Sequence, residues 1–168
     1  MGDWEKTIIP LDDAHEILSV FGIGPSSRGY QRWRRDDGFR HVDFEEVLGE
    51  SHSVLNIDWR EWLQDAVDTI TSQLEELAIE AEADLGEDGN VGVIQIGGKS
   101  ERIKYVPVDG DNFERVIDAI NRLISDKARY RKFRSCEGSD GWSYGLLKNE
   151  DWQALETAAG ATVRLLFV

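Results

Sequence analysis

The groups on this chain with chemistry to offer are three histidines, one cysteine and 33 carboxylates. His15 is followed by Glu16, but no histidine stands four residues on, as a zinc-protease helix requires. The stretch "HVDFEE" gathers His41, Asp43, Glu45 and Glu46, yet it holds one imidazole and no second histidine near it, so no metal is expected there. "DLGEDG" places Asp84, Asp88 and Gly89 at positions 1, 5 and 6 of a calcium loop, but Gly86 and Gln95 fall where oxygen ligands should stand. "GIGPSSRG" lacks the spacing of a dinucleotide fingerprint and follows a helical pattern rather than a strand. Cys136 has Glu137 beside it, a neighbour that would raise a thiol pKa, and it reads as a spectator. No cofactor, metal or catalytic constellation is expected. The chemistry on offer is negative charge.

That charge is unevenly placed. The formal net charge is −14, and residues 61–98 contribute 10 acids and no base. An excess of this kind repels phosphate backbones and anionic lipid, and so bears on partners rather than on fold. With 40% apolar residues and six tryptophans in 168, the chain carries enough apolar material for one folded domain. The opening residues lack the basic and apolar pattern of a secretory signal, no apolar run is long enough for a membrane span, and a lone cysteine suits a reducing compartment. A cytoplasmic protein is expected.

The elements that must position these carboxylates follow from periodicity. A short helix is expected from Asp12 to Phe21, and one or two helical turns at "DFEEVLG". From Asp58, with Glu61 as its capping partner, apolar residues recur at helical spacing from Trp59 and Trp62 through Ala81 and Leu85. That predicts one helix about 40 Å long. Beyond Asn90, "VGVIQI" and "ERIKYVPV" flank "GGKS" as a hairpin, and Asp111 with Glu114 opens a helix carrying Val116, Ile117, Ile120, Leu123 and Ile124 inward. "RYRKFRSC" and "GWSYGLL" make a second hairpin, whose first strand suits a sheet edge. A short helix capped by Asn149 runs to Gly160, and "TVRLLFV" closes the chain as a strand. The expected architecture is α+β, a single domain in three parts. Residues 1–56 form an irregular and helical part, 57–86 the long acidic helix, and 91–168 a largely antiparallel ββαββαβ part packed on helices.

On the long helix, Glu61, Asp65, Asp68, Glu75, Glu76 and Glu82 fall in a band about 120° wide, opposite the apolar stripe. Like charges three or four residues apart cost about 0.2–0.5 kcal/mol per pair, and no lysine between Arg60 and Lys99 relieves them. Either the chain's own arginines neutralise this band or it faces a basic partner. Trp4 and Trp33 lie outside any strong periodic element, and Trp33 and Tyr30 are the candidate aromatic anchors for that partner. The expected function is an inhibitor or immunity protein that neutralises a basic partner by occluding its positive surface, the partner being for example a bacterial toxin, of which a nuclease is one kind. An alternative uses the Arg/aromatic stretches 28–41 and 127–134, with Arg32, Arg34, Arg35, Arg129, Arg131 and Arg134 on phosphate and the aromatics under bases. A second alternative is an enzyme with an unrecognised carboxylate site.

Overall fold

The computed structural model describes residues 6–87, 89–107, 110 and 112–168. Its first half contains β1 (Ile8–Pro10), α1 (Leu11–Val20), α2 (Arg28–Trp33), β2 (Gly38–Arg40), α3 (His41–Leu48), β3 (Val54–Ile57) and α4 (Leu63–Glu76). Its second half contains β4 (Ala81–Leu85), β5 (Val91–Ile96), β6 (Lys99–Lys104), α5 (Glu114–Ile124), β7 (Ala128–Lys132), β8 (Trp142–Lys148) and α6 (Asn149–Leu166). The strands pair antiparallel in three sheets, ordered β1-β2, β3-β8-β7 and β4-β5-β6. The fold is α+β, as expected.

Alternation along β8 decides where the core sits. Tyr144 and Leu146 enter one apolar cluster, together with Leu55 and Ile57 of β3 and Tyr130 of β7. Leu147 and Val54 enter another, with Phe133 just past β7. On that second side Gly145 lets Phe21 and Phe167 approach, to 2.9 Å and 3.3 Å from where a Cβ would stand. A strand with both faces covered reads as continuous burial rather than alternation, and 144–147 are all buried. α1, α3 and α6 cover one face of the β3-β8-β7 sheet. On the other face, α4 packs on β3 and β4, and α5 packs on β7, β5 and β6, so both helices bridge to the β4-β5-β6 sheet.

The predicted hairpin at "GGKS" forms with a two-residue loop. Gly97 and Gly98 both have positive φ (57° and 78°), which the turn matching strand twist requires. α5 buries all five of its predicted core residues, whereas the Asp111 part of its cap lies outside the described residues. β7 is an edge strand, as its composition suggests.

Two expectations are corrected. The long helix covers only Leu63–Glu76, about 21 Å at 1.5 Å per residue. It ends because Ala78 adopts a left-handed φ of 57°: its N–H reaches the Glu75 carbonyl, while the Ile79 N–H reaches the Leu74 carbonyl. This double closure is the Schellman stop, sealed by Leu74 against Ile79, both buried. Glycine normally takes that site, and none is here to announce the stop. Residues 81–85 instead form β4, with Ala81, Ala83 and Leu85 packed on the core and Glu82 and Asp84 exposed. The C-terminal segment is also not a strand. α6 continues to Leu166 past a kink at Ala159, since Leu155, Ala159, Thr162, Val163 and Leu166 all lie buried at helical spacing. Of the expected pairing only a bridge between Phe133 and Phe167 remains.

Candidate functional site

The carboxylates are best described from the turn that leads into α4. The Asp58 N–H donates to the Glu61 carboxylate at 2.7 Å, so half of the predicted capping pattern forms. Helix does not follow it directly. A second reciprocal contact, the Trp62 N–H to Asp65 Oδ2 at 3.0 Å, makes Trp62 the cap and sets the true start at Leu63, four residues beyond the one the Asp58 cap implied. This shift moves Trp59 and Trp62 off the apolar stripe. They are 47% and 38% exposed, which corrects their assignment to the core. The Arg60 guanidinium lies 4.6 Å over the Trp59 ring, and Trp59 also forms one wall of a groove of ≈ 630 Å³ shared with Trp142, Asn112, Lys132 and Asp140.

Along α4, Asp65, Asp68, Glu75 and Glu76 are exposed, and Glu61 is half-buried just before it. Glu82 lies apart from them, on the solvent face of β4. Among the described residues none of these six forms an ion pair. Several of the bases that could have neutralised them are engaged elsewhere. Arg40 grips Asp43 through two bonds of 2.6 and 2.8 Å, Arg131 holds Glu156 at 2.7 Å, and Lys132 pairs with Glu114. The negative stripe is therefore not clasped from within, and two exposed indoles stand at its head.

Of the two predicted aromatic anchors, Tyr30 is a core residue. It is 6% exposed, packs edge-on to Phe39 and shares a 2.5 Å hydrogen bond with His15 Nε2. Trp33 is half-buried at the end of α2, with the Arg32 guanidinium 4.5 Å over its ring. The arginines of the alternative reading fall on separate elements. Arg32, Arg34 and Arg35 are exposed at and after the end of α2, which packs on α3. Arg129 is exposed on β7, Arg131 is half-buried over Trp152, and Arg134 donates to the Arg164 carbonyl at 3.1 Å. Apart from Trp33, the rings interleaved with them, Tyr30, Phe39, Tyr130 and Phe133, are all at most 6% exposed, so four of the five flat faces needed for stacking bases are spent in the core.

His41 is buried and meets Glu45 at 2.9 Å one helical turn on. Among the described residues no three metal-ligating side chains converge. The Tyr130 hydroxyl donates to Gln73 Oε1 at 2.6 Å, and Gln73 in turn donates to the His52 carbonyl at 2.8 Å. Burial pushes the phenols of Tyr130 and Tyr144 well above their ordinary range, and the Glu114 carboxylate adds to the effect at Tyr144. Both stay neutral at physiological pH. Among the described residues no helix is long and apolar enough to cross a membrane. No protein-family model, curated protein or solved structure matches the chain.

Proposed function

We propose that this chain is a cytoplasmic protein-binding module that neutralises a basic partner, as an immunity protein neutralises a toxin such as a nuclease. The observation that supports this reading is the pairing of Trp59 and Trp62, both exposed, with the uncompensated carboxylates of Glu61, Asp65, Asp68, Glu75 and Glu76. Each part has a distinct role. A stripe of like charge draws a cationic surface in from a distance and rejects anionic ones, which acts on the association rate. Large aromatic side chains supply the desolvated contact that holds the complex once formed. Repulsion between Asp65 and Asp68 at i,i+3, or between Asp68 and Glu75 two turns apart, falls when cations settle between them. A nuclease surface shaped for phosphate has the matching sign.

The test starts from the protein retained by this chain in its own cell extract, whose association is then timed against salt. Asp65 is left in place because it caps α4, and Asp68, Glu75 and Glu76 are changed together to lysine. Association should slow about tenfold or more at low salt and lose most of its salt dependence. Trp62→Ala should act on dissociation instead. Unaltered binding in both variants, with the fold intact, would overturn the reading.

A further inference from the structure

A second surface of opposite sign lies at the far edge of the β4-β5-β6 sheet. In the β5·β6 ladder the Tyr105 N–H donates to the Asn90 carbonyl directly opposite, at 2.9 Å. Alternation then makes Gly92/Ile103, Ile94/Glu101 and Ile96/Lys99 the pairs that exchange bonds. The N–H and C=O groups of Ser100, Arg102 and Lys104 therefore point away from β5, and no other described residue bonds to them.

The edge of the neighbouring sheet is treated differently. On β7 the Tyr130 N–H and C=O are both taken by the side chain of Asn121, at 2.8 and 3.0 Å, and the Lys132 carbonyl accepts from the Val168 N–H at 2.8 Å. The same helix, α5, thus plugs one edge strand and stands beside the other without plugging it. Between β6 and α5 runs a groove of ≈ 420 Å³, lined by Arg102, Lys104, Arg115 and Arg122 around Ile103 and Ala119. Among the described residues Asp118 is the one acid in its wall, and Arg122 also pairs with Glu101 at 2.9 Å. Bases on an edge strand alone would serve to deter strand addition. Here half of them come from the helix across the groove, and small Ala119 leaves room at its floor.

We propose that this groove accepts an extended, acidic segment of a partner protein, added to β6 as a fourth strand. Its backbone would pair with Ser100, Arg102 and Lys104. One set of alternate side chains would lie against Arg102 and Lys104, and the other would enter beside Ala119 toward Arg115 and Arg122. The proposal is independent of the α4 surface, which has the opposite sign and lies at the other edge of the sheet.

The probe is a fluorescein-labelled octapeptide alternating glutamate with valine or threonine, followed by anisotropy and by amide exchange of the full chain. Binding should slow exchange at Ser100, Arg102 and Lys104 and leave Glu101 and Ile103, already in the ladder, unchanged. Arg102→Glu with Lys104→Glu should weaken binding by at least about tenfold, and so should N-methylation of alternate peptide amides. Either absence of binding at millimolar peptide or equal affinity of the N-methylated peptide overturns the proposal. So does protection of the same three amides that rises with protein concentration alone, since a second copy would then occupy the edge.

Discussion

Asn121→Ala isolates what it is worth to close a sheet edge with a side chain. Asn121 stands on α5 and presents both halves of its amide to one residue of β7, with its Oδ1 2.8 Å from the Tyr130 nitrogen and its Nδ2 3.0 Å from the Tyr130 oxygen. Truncation leaves a donor and an acceptor without partners beside a tyrosine that is 2% exposed. Each such group costs about 1–3 kcal/mol when water cannot reach it. Asn121 itself is half-buried, so water restores part of the loss, and the sum should lie near the lower end, about 2–3 kcal/mol. For a chain of this length that corresponds to a fall in Tm of about 4–12 °C. Urea unfolding followed by tryptophan fluorescence should show the midpoint falling with an unchanged m-value, because the native surface is the same. Asn121→Asp keeps the acceptor for the N–H but faces the carbonyl with a carboxylate, and should lose at least as much as a single bond. A loss below about 0.5 kcal/mol for Asn121→Ala would refute the argument that this amide substitutes for a strand.

Gly145→Ala should destabilise by about 1–3 kcal/mol, measured in the same urea assay, because its Cβ would stand 2.9 Å from the Phe21 ring. Ala78→Gly should raise stability by about 0.5 kcal/mol, since a left-handed φ costs alanine more than glycine loses in chain entropy; a decrease would show that the Schellman stop is not strained. Trp59→Ala and Trp62→Ala should each change stability by less than about 0.5 kcal/mol, as befits exposed rings, and a larger loss would return them to the core. Tyr130 and Tyr144 have folded-state pKa values above the unfolded value near 10. Their contribution is therefore complete below pH 10 and is lost as pH climbs toward the folded values, by about 1.4 kcal/mol per tyrosine per pH unit. Phenolate absorbance from all four tyrosines near pH 10, with circular dichroism still native, would contradict this.

The sequence carried some of this structure plainly and hid the rest for identifiable reasons. α5 was legible because five aliphatic residues repeat at helical spacing, and the β5–β6 hairpin because two glycines between alternating runs allow the positive φ that a two-residue turn needs. β4 was misread as helix because Leu77, Ala81 and Leu85 are four apart, an interval that suits a period of 3.6 and a period of 2 alike. The stop before it rests on an alanine in a conformation that glycine usually signals. β1, β2 and β3 are three or four residues long and exist only through partners distant in sequence. The carboxylates of α4 could be read directly, since charge and spacing are local. The exposure of Trp59 and Trp62 could not, because it turns on a helix start displaced by a few residues. The basic groove was invisible for a different reason: Arg102 and Lys104 meet Arg115 and Arg122 only after α5 folds across β6.

The sheet that carries a core on each side imposes an order of events on synthesis. Among the described residues β3 finds its one strand partner in β8, and the apolar side of α1 is closed by α6. At the usual pace of translation, roughly ninety residues between Val54 and Gly145 correspond to about 5–20 seconds. For that interval the emerging chain holds Ile17, Leu18 and Phe21 without the helix that will lie over them, Phe21 lacking its contacts with Trp152 and Phe167. A holding chaperone at the ribosome exit should therefore find its longest-lived client site in the first fifty residues, and release it when the last helix arrives.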